Sequence, residues 1–292
     1  MTIKIYCDSA DYKIIKKYSK FSLVKGFTTN PSLMRLAGAK NYKNYSTKIL
    51  KTCKNKPISL EVFSDDINSM IQQAYLINSW GKNIYVKIPV VNTQGKFTGK
   101  AIRELSSQGV KLNITAVYTY EQVEKVFLSL NKNTKSIISI FAGRMADVGK
   151  DPVPIFRKSV QLTKKHKNIE ILWASTREAY NFLQAKNLGC EIITMPPKII
   201  EKIKTVMDPE IPVNIYDLGL IYNINIDEKN NIVIEMTLTN PNCPVAGSMP
   251  ESVGNAISTL EDISSIKVNL IWYPKWSKDM MSEDARLALD IY

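Results

Sequence analysis

Histidine is almost missing from these 292 residues: the chain has one, His166, inside a Lys164-Lys165-His166-Lys167 run. That scarcity argues against a histidine-based metal centre or a histidine-dependent triad. Cysteine is sparse and scattered, and Cys7, Cys53, Cys190 and Cys243 form no C-x-x-C pair. The pattern speaks against a disulfide framework or a zinc ribbon and fits a reducing, cytoplasmic setting. No apolar run approaches the roughly 18 residues of a membrane span. The chain enters a strand-like stretch almost at once, so neither a membrane partner nor a signal or transit peptide is expected. Phosphate loops of the G-x-G-x-x-G and G-x-x-x-x-G-K-[ST] kinds are missing as well, which weakens an open, doubly wound nucleotide fold.

Acidic residues are short in one part of the chain only. Residues 201–292 carry 7 Lys+Arg and 14 Asp+Glu, leaving 32 basic and 13 acidic residues for 1–200. The break predicts two domains, 1–200 and 201–292. The lysines of the first are spread along helical stretches, so steering of anionic substrates is the simpler reading and nucleic acid is not an expected partner.

What the first domain does have is a repeating alternation. Short apolar runs at 3–7, 23–27, 58–63, 84–89, 111–117, 136–141, 170–174 and 191–195 read as strands. Helical patterns lie between them, for example at 64–79, 120–130, 154–167 and 176–187. Eight strands alternating with helices predict an α/β fold, a (β/α)₈ TIM barrel, with an open sheet as the rival. In such a barrel function sits at the C-terminal strand ends. Those ends carry Asp8, the Thr28-Thr29-Asn30 run, Glu61, Lys87, Asn113, Thr115, Ser139, Arg144, Ser175 and Arg177. Any one of them could be a cap or turn residue. Together they describe a pocket with a lysine, two carboxylates, amide and hydroxyl groups, and two arginines suited to a phosphate.

Lys87 stands out. Its run, Asn83-Ile84-Tyr85-Val86-Lys87-Ile88-Pro89, is otherwise apolar, and lysine is rarely buried without a partner. A buried lysine readily gives up its proton and becomes a nucleophile toward a ketone or aldehyde. The bland alternative is a strand-edge lysine that snorkels to solvent.

Five ordered motifs carry a resemblance. Gly26-Phe27-Thr28-Thr29-Asn30-Pro31-Ser32-Leu33, Val86-Lys87-Ile88-Pro89, Leu112-Asn113-Ile114-Thr115-Ala116, Phe141-Ala142-Gly143-Arg144 and Ala174-Ser175-Thr176-Arg177 resemble the transaldolase family over about residues 3–200. The resemblance implies Lys87 as the Schiff-base lysine and Asp8 as the base that takes the C4 hydroxyl proton. Glu61 and Thr115 would position and activate a water. Asn30, Asn113 and Ser139 would hold the dihydroxyacetone unit, Phe141 would join the substrate-binding set, and Arg144, Ser175 and Arg177 would bind phosphate. No metal or organic cofactor is implied for the barrel, and a homo-oligomer is expected. The implied reaction moves a dihydroxyacetone unit between sugar phosphates, from sedoheptulose 7-phosphate to glyceraldehyde 3-phosphate, within the pentose phosphate pathway. A related branch that cleaves fructose 6-phosphate as a simple aldolase has glutamine and tyrosine where this chain has Glu61 and Phe141, and both positions favour the transferase.

The last 92 residues predict a helix at 197–207, alternating strands at 221–226 and 232–238 joined by a turn at 227–231, a helix at 248–263 and a strand at 267–272. This reads as a small α+β domain on a short antiparallel sheet. Residues 208–222, Met236-Thr237-Leu238-Thr239 and Cys243-Pro244 resemble the SUF-system iron–sulfur assembly family related to SufT and PaaD. The resemblance implies assembly-protein partners and makes Cys243 a transient cluster or partner contact. Cys243 is read as lying just before a helix, where a thiol pKa falls, with a buried, inert cysteine as the alternative. A non-catalytic barrel on an assembly factor is the rival reading of the whole chain.

Overall fold

The computed structural model describes residues 3–289 apart from 22–23, 54, 205–213, 227–230, 242, 244–245 and 259–263. Eight strands appear in the first part: β1 (Lys4–Asp8), β2 (Val24–Thr28), β3 (Ile58–Glu61), β4 (Ile84–Pro89), β5 (Leu112–Val117), β6 (Ser136–Phe141), β7 (Ile169–Ala174) and β8 (Ile192–Met195). They form a closed barrel in chain order, with helices in every connection. Each strand runs parallel to the next. Closure is made by β1 against β8, from Lys4 opposite Ile192 to Cys7 opposite Met195.

The strand sequences explain both faces. In β6, Ser136 to Ile140 are all buried, as expected of a parallel strand with helices outside and a packed interior. Successive side chains point to opposite faces. Tyr6, Tyr85, Ile137, Leu172, Ala174 and Ile192 cluster with Phe141 in the interior. Their neighbours in sequence face the helices, where Trp173 stacks on Phe156 of the helix Val153–Thr163 with ring centroids 4.3 Å apart. Tyr6 pairs in register with Gly26. A Cβ there would fall 2.6 Å from the Tyr6 ring, so only glycine leaves that ring its place.

Side-chain caps decide where helices begin. Asn30 accepts from Leu33 N at 2.9 Å with Pro31 in the first turn, starting the helix Pro31–Leu36 as its sequence predicts. The helix expected at 64–79 starts later, at Ile67, because Asp66 takes the Ser69 N–H. The one expected at 176–187 starts at Tyr180, because the Asn181 side chain accepts from Arg177 N.

The chain divides into two units between Pro197 and Lys198. The helix Pro197–Lys204 runs across that point. The second unit has β9 (Ile221–Ile226), β10 (Asn231–Met236) and β11 (Ser265–Leu270) in the order β11-β10-β9. Here the sequence expectation is corrected: β9 and β10 are antiparallel, but β10 and β11 are parallel, so the sheet is mixed. The cause is the helix Met249–Ser258, which lies between β10 and β11 in the chain. A crossover of that length returns the chain in the same direction. Ile232, Ile234 and Met236 alternate into a core with Leu218, Leu220, Met249 and Val253. Gly219 has φ +71°, and a Cβ there would lie 2.2 Å from the Met280 carbonyl oxygen. Trp276 Nε1 donates to Leu218 O at 2.7 Å, so the tail is fastened to the Leu218–Leu220 turn.

Expectations for residues 205–213, for the turn at 227–230, for Pro244 and for the helix end at 259–263 lie outside the described residues. Among the described residues, no helix is long and apolar enough to cross a membrane.

Candidate active site

Strand alternation brings the polar residues to one place. On β4, Tyr85 and Lys87 share the interior face; on β5, Asn113 and Thr115 do; on β1, Tyr6 and Asp8 do. Register then sets neighbours: Lys87 stands level with Glu61 of β3 on one side and Asn113 of β5 on the other, while Asp8 stands level with Thr28. The strand ends enclose a cleft of about 210 Å³ lined by Asp8, Asn30, Lys87, Asn113, Thr115, Ser139, Phe141, Arg144, Ser175 and Arg177. All predicted barrel residues except Glu61 and Thr29 line it, and both of these touch it through Lys87.

Lys87 is 7% exposed, which removes the snorkelling alternative. Its Nζ lies 3.2 Å from Glu61 Oε2 and donates to the Thr29 carbonyl at 3.0 Å. The carboxylate and the carbonyl are both acceptors, so the buried Nζ has partners.

Asp8 is held by the Thr28 hydroxyl, which donates to Oδ1 at 2.7 Å. Burial pushes the Asp8 carboxyl above the ordinary carboxylate range, and the charge of Lys87 and the Thr28 hydrogen bond pull it partly back. Thr28 Oγ1 also meets Thr194 Oγ1. Since the Thr28 proton goes to Asp8, Thr194 is the donor in that contact. Thr194 is absent from the predicted set. Its signal was there, a hydroxyl in the apolar run Ile192-Ile193-Thr194-Met195 at the end of a strand.

The amide side of the cleft is a relay. Ser139 Oγ donates to Asn113 Oδ1 at 2.6 Å, and Asn113 Nδ2 donates to Ser59 Oγ at 2.9 Å. Thr115 differs: it is 2% exposed and its Oγ1 has no hydrogen-bond partner. A buried, unsatisfied hydroxyl facing a cleft is a place for a water or a ligand oxygen. The backbone around it is irregular. Ala116 has φ +57°, and the β5–β6 register slips between Ile114 and Val117, the kind of local bulge that re-aims a side chain.

The cationic end is built by two segments. The Arg144 guanidinium lies 5.5 Å from the Phe141 ring centroid, and Phe141 meets Tyr118 edge-on. The short helix Ala142–Ala146 approaches the loop after β7 so closely that a Cβ on Gly143 would lie 1.8 Å from Ser175 O. Ser175 itself has φ +65°. Arg177 is gripped by Asp147, with Nε donating to Oδ1 at 3.0 Å and Nη2 to Oδ2 at 2.5 Å. Asp147 was not foreseen. It lies 30 residues from its partner, and no local pattern marks it.

Cys243 is 9% exposed. The helix expected after it begins at Met249, one residue from the expected start, and Cys243 N donates to Asn240 O in a turn. Cys243 packs in the same core as Met249 and Val253 of that helix. The residues present do not fit a resident cluster. Cys243 is the lone cysteine of residues 198–292, and among the described residues no group of three or more His, Cys, Asp and Glu could hold a metal, where a cluster usually takes four cysteines.

A closed (β/α)₈ barrel with a paired lysine deep in a polar, arginine-edged cleft, followed by a small mixed-sheet unit, defines the class of this protein. A family model described as transaldolase/fructose-6-phosphate aldolase matches residues 5–231, and one described as iron-sulfur cluster assembly protein matches residues 197–270. A probable transaldolase from Nitrosopumilus maritimus is 33% identical over 203 residues, 69% of this chain and 87% of that protein. An Fe-S protein maturation auxiliary factor from Porphyromonas gingivalis is 43% identical over 99 residues, 34% of this chain and 94% of that protein. Among solved structures, the domain of unknown function DUF59 from Bacillus anthracis is similar to the C-terminal part at 43% identity, covering 32% of this chain and 91% of that one with a TM-score of 0.30. The chain belongs to the transaldolase/fructose-6-phosphate aldolase family and carries an iron–sulfur assembly-type domain at its C-terminus.

Proposed function

We propose that the barrel is a transaldolase, moving a dihydroxyacetone unit from a ketose phosphate to an aldose phosphate through an imine on Lys87. The observation that carries this reading is the buried Lys87 ammonium position, 3.2 Å from Glu61 and in register with Asn113. Glu61 can take the proton that Lys87 must shed before it attacks the ketose carbonyl. Attack forms the C–N bond, and loss of the carbonyl oxygen as water leaves a protonated imine. That imine is the electron sink for the next step. Asp8, when ionised, takes the proton of the C4 hydroxyl, the C3–C4 bond breaks, and the aldose departs. The Ser139–Asn113 relay suits the hydroxyls of the retained three-carbon unit. Arg144 and Arg177 suit the phosphate of donor and acceptor alike. Thr115, with its unpartnered hydroxyl, and Glu61 would hold the water used in imine formation and release.

The test is acceptor dependence. With fructose 6-phosphate as donor, a transaldolase yields sedoheptulose 7-phosphate only when erythrose 4-phosphate is supplied. Release of free dihydroxyacetone at the same rate without acceptor would identify the simple aldolase instead.

For the C-terminal domain we infer a docking role in iron–sulfur protein maturation, because its one thiol cannot hold a cluster alone. Any cluster it meets is shared with another chain and is cargo. Cys243→Ser should weaken co-purification with assembly proteins while leaving transfer by the barrel unchanged; an unaltered partner set would remove Cys243 from that role.

A further inference from the structure

The geometry points to Asp147 as a positioning residue that aims Arg177 at the anionic end of the substrate and so sets the preference for phosphorylated sugars. The inference rests on the sugar-phosphate reading of the cleft and extends it to a residue outside the cleft lining.

A guanidinium has five N–H donors in a fixed plane. Asp147 occupies the side-on edge, through Nε and Nη2. A third donor, on Nη1, goes to the Ser175 carbonyl at 3.4 Å. What is left is one N–H on each terminal nitrogen, and these are the donors available to phosphate oxygens. Arg177 and Ser175 line the cleft and Asp147 does not, so the carboxylate approaches Arg177 from behind. Both side chains of the pair are about half exposed, and an ion pair that open to water contributes little to stability. Its persistence is better explained by orientation than by folding. The backbone agrees. Gly143 lets the segment bearing Asp147 touch the loop bearing Arg177, because a Cβ would strike Ser175 O. Ser175 is held at φ +65°, which keeps its carbonyl available to Arg177. The carboxyl of Asp147 is held below its ordinary range by the Arg177 hydrogen bonds, so it stays ionised at neutral pH.

The experiment compares full-length wild type, D147A and D147E in two assays. One is binding of inorganic phosphate and of fructose 6-phosphate, followed by phosphorus NMR. The other is steady-state turnover with fructose 6-phosphate as donor and erythrose 4-phosphate as acceptor, and with unphosphorylated dihydroxyacetone as donor and unphosphorylated glyceraldehyde as acceptor. For D147A, KM for fructose 6-phosphate should rise roughly tenfold with kcat falling less than about threefold, and phosphate binding should weaken in parallel. The dihydroxyacetone reaction should move far less, and D147E, which restores a carboxylate, should recover most of the loss. Binding by D147A that equals or exceeds the wild type overturns the proposal, because a carboxylate that merely competed for Arg177 would give that result. Equal losses with phosphorylated and unphosphorylated donors overturn it too, as the mark of a general structural role. Wild type that binds phosphate in an Asp147-dependent way but turns over no sugar supports the positioning role and sinks the catalytic reading, so the two failures are separable.

Discussion

The carboxylate of Glu61 lies 3.2 Å from Lys87 Nζ across the β3–β4 register, with Lys87 7% exposed. In the proposed mechanism this pair stands at the centre of the site, because it would give the attacking nitrogen of Lys87 both a counter-charge and a proton acceptor. Glu61→Gln keeps the shape and removes the acceptor. Turnover should fall about a hundredfold with KM little changed, the size usual for losing a positioned base. Wild-type turnover in E61Q would assign the proton to another group.

Asp8 gives a prediction about pH. A base must be ionised to act, and burial raises the pKa of this one, so the acid limb of the pH–rate profile should lie above the ordinary carboxylate range. The Thr28 hydroxyl favours the ionised form, so Thr28→Val should move that limb to still higher pH. Thr194→Val, one hydroxyl further away, should move it the same way by less. A limb that shifts downward in T28V would contradict the assignment, since losing a donor to a carboxylate cannot favour its charge.

Asp8→Asn should separate two steps. In the proposed mechanism imine formation needs Lys87 and bond cleavage needs the base, so borohydride reduction of D8N with fructose 6-phosphate should trap the whole hexose phosphate on the protein. A three-carbon adduct at the wild-type rate would show that cleavage does not depend on Asp8.

Gly143→Ala tests the joint between the two cationic segments. A Cβ 1.8 Å from a backbone oxygen forces the short helix and the loop apart, with a loss of about 2–4 kcal/mol in urea unfolding. KM for sugar phosphates should rise as well. A midpoint unchanged from wild type would mean that the backbone absorbs the methyl elsewhere.

Much of this was legible before any coordinates. Short apolar runs located all eight barrel strands, and the polar residues at their ends gathered as the barrel rule requires, since strand direction alone sends them to one mouth. What escaped depends on long-range geometry. Asp147 is an unremarkable acid until the fold carries it beside Arg177. The parallel pairing of β10 with β11 depends on how the chain returns from the helix Met249–Ser258, and alternation within a strand carries no information about its neighbour's direction. The helix after Cys243 was legible to within a residue, expected from 248 and found from Met249. Thr194 alone could have been found by the rule already in use, a hydroxyl closing an apolar strand.

The most direct measurement is borohydride trapping on the full chain. Incubation with fructose 6-phosphate, reduction and peptide mapping should place a dihydroxyacetone-sized adduct on Lys87 and nowhere else, and Lys87→Met should abolish it. Folded wild-type protein that acquires no adduct, or acquires it equally in K87M, would contradict the imine and with it the enzymatic account of the barrel.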